Sequence, residues 1–249
     1  MYELVGGNQE LEHMRTKYYV IFLIILSSCT SISEKNKTII NTISDVYSST
    51  NVEITEGFST GDVGGTHPYI EVSLAESKYI NEDSTYDIQN AGTSIALIVY
   101  ENLENSEIKE DLTIEVIINQ NFSGNNRTFS FKFPVELVKN AFQCLETIDS
   151  TYKTIMAQNY SATYAFLDKS TKDTLSSNIF VNNFIVADSL YGKINNYKIK
   201  GFEFLPRENN RTKRDLIKFK TTGYRESLKQ RIEFYFNSEG DKQKAILID

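Results

Sequence analysis

The chain has 249 residues, 40% of them apolar and 24% charged, with 26 Lys and Arg against 33 Asp and Glu and a net charge of −7. That balance is globular, with length for one large or two small domains, and the acidic excess argues against the basic face that a nucleic-acid binder presents to phosphate. With 12 Gly, two Cys and one long apolar run, collagen-like, disulfide-rich and multi-span membrane classes are excluded.

The apolar run is Tyr18 to Leu26. At a rise of about 1.5 Å per residue, a helix of that length falls short of a hydrocarbon core of about 30 Å. It suits the h-region of a signal peptide instead, with Met14, Arg15, Thr16 and Lys17 supplying the positive n-region and small residues following. Glu3, Glu10 and Glu12 precede that n-region with the wrong charge, which points to translation starting at Met14. The run closes on Leu26-Ser27-Ser28-Cys29. This resembles the lipobox of bacterial lipoproteins: an aliphatic residue, two small residues, then the Cys that carries the lipid. The resemblance covers Met14 to Cys29 and implies a signal peptide over 1–28, recognised through Leu26, Ser27 and Ser28. It further implies a diacylglyceryl group on Cys29, commonly with an N-acyl chain such as palmitate. Each buried acyl CH₂ contributes about 0.8 kcal/mol, so two or more chains anchor stably where one does not. Thr30, rather than Asp, follows the Cys, which the family's sorting rule associates with the outer membrane of a Gram-negative envelope. With Cys29 acylated, no intramolecular disulfide to Cys144 is expected.

Residues 29–50 are rich in Ser, Thr, Asn and Lys and read as a tether. Ile39, Ile40, Ile43, Val46 and Tyr47 nevertheless have helical spacing, which suits a short docked helix in the second half. A first folded unit is expected over 51–133. Val52, Ile54 and Phe58 mark one strand and Tyr69 to Leu74 another, with the turn-rich Gly61 to Pro68 between them. Ser84 to Asp87 reads as a capping box opening a helix with Ile88, Ala91, Ile95, Val99 and Leu103 on one face. Strands Leu112 to Asn119 and Arg127 to Phe133 follow, with Asn125-Asn126 as their turn. The unit reads ββαββ, a helix packed on a small antiparallel sheet.

A second unit is expected over 134–249. Pro134 opens a long helix striped by Val138, Phe142, Leu145, Ile148, Tyr152 and Ile155. A short helix at Ala162 to Leu167 and a third from Lys172 to Tyr191 follow, the last ending at Gly192. Strands are expected at Tyr197 to Leu205, Leu216 to Tyr224, Arg231 to Asn237 and Gln243 to Ile248, with Ser238 to Asp241 as the last turn. Helices followed by an antiparallel run, closing on RIEFYFNSEGDKQKAILID, resemble the cystatin-like cone fold of nuclear transport factor and ketosteroid isomerase. The fold class is therefore α+β, and the resemblance implies a cone-like second domain that hosts enzymes and binding modules alike.

No catalytic motif is assembled in the sequence. Gly61 to Pro68 has no Lys after its glycines and does not match a phosphate-binding loop. His67 is the one His beyond the signal peptide, which leaves Cys144 without an evident general base and makes a small buried role the better reading for it. No metal-ligand spacing and no cofactor are expected. Carboxylate acid–base chemistry of the isomerase kind needs one acid in an apolar cavity beside a tyrosine donor. Asp149, Asp168 and Asp188 are the acids on or beside the second unit's helices, and Tyr152, Tyr164 and Tyr224 are tyrosines placed to line a cone. Of these, Tyr152, Tyr164, Asp188 and Tyr224 form the candidate pocket. The competing reading is that the acids cap or solvate helices and the tyrosines bury their rings. The cluster Arg207 to Arg214 reads as a solvated hairpin loop. Together these features predict a lipid-anchored envelope protein that binds a small molecule or protein partner without catalysis, in a fold class that also forms homodimers, with a carboxylate isomerase or hydratase as the alternative.

Overall fold

The computed structural model describes residues 33–60, 66–82, 87–209, 215–238 and 247–248. The architecture is α+β, with two four-stranded sheets of order β1-β2-β3-β4 and β5-β6-β7-β8. The lipobox residues Leu26, Ser27, Ser28 and Cys29 lie outside the described residues, as do 61–65 and 210–214. No helix among the described residues is long and apolar enough to cross a membrane.

Within the stretch expected to be a tether, α1 (Glu34–Tyr47) is helical and buries Ile39, Ile43 and Tyr47. Their spacing of four puts them on one stripe, and the Tyr47 hydroxyl donates to the Ala91 carbonyl at 3.2 Å. The docked-helix reading of these residues is the one the structure follows.

Strands β1 (Ser49–Thr60) and β2 (Thr66–Ser77) pair antiparallel, and β3 (Thr113–Phe122) and β4 (Asn125–Pro134) do likewise. Between them β2 and β3 run parallel, from Tyr69↔Thr113 to Leu74↔Ile118, which corrects the expected all-antiparallel sheet. The connection explains it. The chain leaving β2 passes through α2 (Lys78–Glu82) and α3 (Ile88–Glu101), and such a crossover returns the next strand in the same direction. The β3–β4 turn also shifts: it is Ser123-Gly124, at φ 52° and 80°, closed by Phe122↔Asn125, so Asn125 and Asn126 already belong to the strand. Positive φ at both central residues gives the twist that a two-residue hairpin requires.

Helix α3 is capped by Asp87, whose carboxylate accepts from the Asn90 amide at 3.0 Å. The cap is thus Asp87, the last residue of the expected box; residues 84–86 of that box lie outside the described residues. This helix lies between the two sheets, and its small residues permit that. A Cβ on Gly92 would stand 2.8 Å from Phe131 of β4. On another side, the Phe202 amide donates to Thr93 Oγ1 at 3.1 Å and Ser94 donates to the Lys200 carbonyl at 2.9 Å. Gly201, at φ 147° in a β-bulge, brings the β5 backbone so close that a Cβ would meet the Asn90 carbonyl and Thr93 Oγ1 at 2.6 Å. Buried residues of both sheets and of α3 form one core cluster.

Helix α4 (Val135–Met156) starts after Pro134 and buries Val138, Ile148, Tyr152 and Ile155, while Phe142 and Leu145 flank that stripe. Helix α5 (Tyr160–Ala165) follows. The helix expected over Lys172 to Tyr191 is two helices, α6 (Lys169–Thr174) and α7 (Ser177–Tyr191). Leu175 is extended, at φ −120° and ψ 108°, and Ser176 caps α7 by accepting from the Ile179 amide at 3.4 Å. A serine that can cap competes with helix continuation, and here it ends one helix and begins another. Helix α7 stops at Gly192, at φ 79°, as expected.

The second sheet is an antiparallel meander of β5 (Asn196–Leu205), β6 (Leu216–Tyr224), β7 (Lys229–Asn237) and the two-residue β8 (Leu247–Ile248). Alternation places Ile217, Phe219 and Thr221 of β6 and Ile232, Phe234 and Phe236 of β7 in the core. Of the expected last strand, 243–246 lie outside the described residues.

Candidate functional site

The inward register of β6, at 217, 219, 221 and 223, continues one step past the strand to Arg225. A charged residue therefore takes a position that the pattern reserves for the core, and its side chain has no solvent exposure. Burying a charge is tolerable only when it is paired and hydrogen-bonded. Arg225 Nη1 meets Asp188 Oδ1 and the Gly192 carbonyl, each at 2.6 Å, and Nε donates to Gln230 Oε1 at 2.8 Å. The Gly192 carbonyl is available because α7 ends there in a positive-φ turn. Nη2, buried alongside, has no hydrogen-bond partner.

Asp188, one-tenth exposed, is held on the other side by the Tyr160 hydroxyl, which donates to Oδ2, and by Gln158 Nε2 at 3.3 Å. Burial works against the charge on Asp188. Hydrogen bonds from Tyr160, Arg225 and Gln158, with the Arg225 charge, outweigh that and hold the carboxyl below its ordinary value. Burial and the neighbouring Asp188 push the Tyr160 hydroxyl up to about 12. Near neutral pH the group is thus an ion pair plus a neutral phenol.

Beside the pair is a pocket of about 170 Å³. Leu175, Phe180, Phe184, Ala187 and Ile232 give it apolar walls, and Asn183, Arg225 and Gln230 are its polar lining residues. Phe180 and Phe184 are themselves packed by Tyr164 and Tyr160, with ring centroids at 5.6 and 4.9 Å.

None of the four residues expected to share a pocket is among the residues lining this one. Asp188 bonds the arginine of the pocket wall, and Tyr164 supports that wall from behind, donating to the Leu175 carbonyl at 2.7 Å. Tyr152 is fully buried, stacked on Tyr197 at 4.0 Å and hydrogen-bonded to Thr221 at 2.6 Å. Burial pushes its hydroxyl up to about 12. Tyr224 is half-buried on β6, with Lys229 Nζ 6.0 Å from its ring centroid. Of the other acids, Asp168 caps α6 by accepting from the Thr171 amide at 2.8 Å. Burial opposes its charge, but hydrogen bonds from Thr171 and Ser170 hold it below its ordinary value. Asp149 accepts from the Tyr197 hydroxyl at 2.5 Å. Cys144 is buried on α4, its Sγ 3.3 Å from the Asn140 carbonyl. His67 is half-exposed, 3.8 Å from Asp111. Among the described residues no group of three or more His, Cys, Asp or Glu is placed to hold a metal ion.

Sequence reasoning missed Arg225 and Tyr160. Arg225 was signalled by the alternation itself, which runs off the end of β6 into a charged residue. Tyr160 had no comparable signal, because its partner lies 28 positions away.

Comparison with family models, with curated proteins and with solved structures finds no match to this chain.

Proposed function

We propose that the protein is a lipid-anchored component of a bacterial envelope whose folded part binds a ligand or a protein partner without transforming it. The anchor half rests on the coincidence of a basic n-region, a nine-residue apolar run and Leu26-Ser27-Ser28-Cys29. The binding half rests chiefly on one observation: Asp188, the acid paired with the pocket-lining Arg225, is neutralised by it and held ionised. An acid of that kind neither donates a proton near neutral pH nor has the basicity to remove one from carbon efficiently. A pocket with apolar walls and a few fixed polar groups is the ordinary form of a binding site. The resemblance of the C-terminal half to the cone fold is compatible with this reading, since that fold serves binding as well as catalysis.

Two measurements test the proposal. Cys29→Ala should abolish incorporation of radiolabelled acyl chains and leave the protein unprocessed; labelling and attachment that persist in the variant would overturn the anchor. Native mass spectrometry of the protein extracted from its membrane should show a bound mass that is recovered chemically unchanged. Recovery of a converted product would favour the carboxylate enzyme.

A further inference from the structure

Helix α7 carries an uncovered apolar surface. Ten large hydrophobic residues are exposed among the described residues, and five of them, Ile179, Ile185, Val186, Leu190 and Tyr191, lie on these 15 residues. Ile179, Val186 and Leu190 are 55, 56 and 65% exposed, and their spacing of seven and four puts them on one stripe. The only charged residue of α7 is Asp188, which is turned inward to Arg225. The remaining exposed positions of the helix are Asn and Ser, so its outward surface bears no charge. The outer side of a surface helix is ordinarily polar and charged, and an apolar one marks contact with a protein or a membrane.

We propose that α7 lies on the lipid surface, with Ile179, Val186 and Leu190 at the boundary between headgroups and acyl chains. The length of chain ahead of the core favours this occupant. Ile39 is buried only ten positions after Cys29, the proposed lipid site. Ten residues reach about 35 Å at full extension, so the anchor holds the folded part at the membrane and not on a long stalk. Charge favours it too. A chain of net charge −7 is repelled by anionic headgroups, and α7 brings them no negative charge. A second copy fits less well. A 15-residue helix is about 22 Å long and 10–12 Å across, a footprint of roughly 250 Å² against the roughly 800 Å² per partner of a stable complex. A contact made by a protein already held at the surface needs no such area, because the anchor makes it effectively intramolecular. The inference rests on the anchor half of the proposed function and adds the face that meets the membrane.

The test uses the full-length protein, extracted from its membrane and returned to vesicles of phosphatidylethanolamine and phosphatidylglycerol. An environment-sensitive fluorophore is placed on Val186→Cys or, for comparison, on Ser130→Cys at an exposed position of β4. Cys144 is fully buried, which keeps it from the reagent. Quenchers carried on the lipid near its headgroup should remove about half or more of the emission at 186, since a docked helix sits about 5–10 Å into the boundary, and should spare the label at 130. Ile179→Asp with Leu190→Asp should restore the emission at 186 while the protein still floats with the vesicles on its anchor. Circular dichroism should be unchanged, because all three substituted side chains of α7 are more than half exposed. Equal quenching at 186 and 130, or quenching at 186 that survives the two aspartates, would overturn the inference. So would blue-shifted emission at 186 that lipid quenchers leave untouched, the sign of cover by a second copy or another protein. In each of these cases the anchor stands as long as the protein floats. A protein that lacks acyl label and does not float would instead overturn the anchor reading, and the inference with it.

Discussion

Removal of the Asp188 carboxylate provides a stringent test of the site. Asp188→Leu leaves the Arg225 cation, with no solvent exposure, facing no counter-charge, and leaves the Tyr160 hydroxyl and Gln158 amide without their acceptor. Breaking one side of a buried, hydrogen-bonded ion pair costs about 3–5 kcal/mol, chiefly because the other charge stays buried and uncompensated. For a chain of this size each kcal/mol lowers Tm by about 2–4 °C, so the loss corresponds to a drop of roughly 6–20 °C. Arg225→Met alone should be costly too, since it strips the Gly192 carbonyl and Gln230 of their donor. The double variant removes both charges at once. It should therefore be more stable than the summed single losses by about 1–3 kcal/mol. Urea unfolding followed by circular dichroism on the four proteins yields the coupling directly. Losses that add within about 0.5 kcal/mol would refute the claim that the two charges compensate one another.

Other parts of the fold give equally definite expectations. Thr93→Val removes the acceptor for the buried Phe202 amide and should cost about 1–3 kcal/mol in urea unfolding, whereas a change below about 0.5 kcal/mol would show that α3 does not satisfy the bulge. Gly201→Ala forces a Cβ to within 2.6 Å of the Asn90 carbonyl at φ 147°, and should cost about 2 kcal/mol or more. An unchanged Tm would mean that β5 does not approach α3 so closely. Tyr152 and Tyr160 are raised from an ordinary 10.0 to about 12, so the folded state binds protons that the unfolded chain has already lost. Their stabilising contribution is full below pH 10 and lost as pH rises through about 12. Phenolate absorbance should thus show these hydroxyls ionising together with alkaline unfolding; complete ionisation near pH 10 in a still-folded protein would contradict their burial.

Much of the fold was legible in the sequence because periodicity reports which face is buried. Ile114, Val116 and Ile118 alternate into the core of β3, and Val138, Ile148, Tyr152 and Ile155 form the buried stripe of α4. Periodicity does not report which strand lies alongside. Alternation in β2 and β3 fits either direction equally well, and only the crossover through α3 makes the pair parallel. Local competition accounts for two further misses. Ser123-Gly124 rather than Asn125-Asn126 turns the β3–β4 hairpin, and Ser176 caps a new helix inside a continuous helical pattern. The site was legible only in part. Asp188 was singled out as an acid on a helix, but its chemistry depends on Arg225, 37 positions later, and no local spacing ties the two together. Tyr152, selected as an aromatic residue able to line a cavity, is instead a buried ring stacked on Tyr197, a role that a tyrosine serves equally well.

Whether Asp188, as proposed, serves binding and not proton transfer is read from the titration of its carboxyl. The side-chain carboxyl carbon, assigned by its loss in Asp188→Asn, should keep its ionised chemical shift from neutral pH down past the ordinary midpoint of 3.8. The stabilisation carried by the ion pair should be present above that pH and disappear as pH falls through the lower folded midpoint. A midpoint raised to pH 6 or above would mark Asp188 as a carboxyl kept protonated near neutrality, and would return the protein to the enzyme reading.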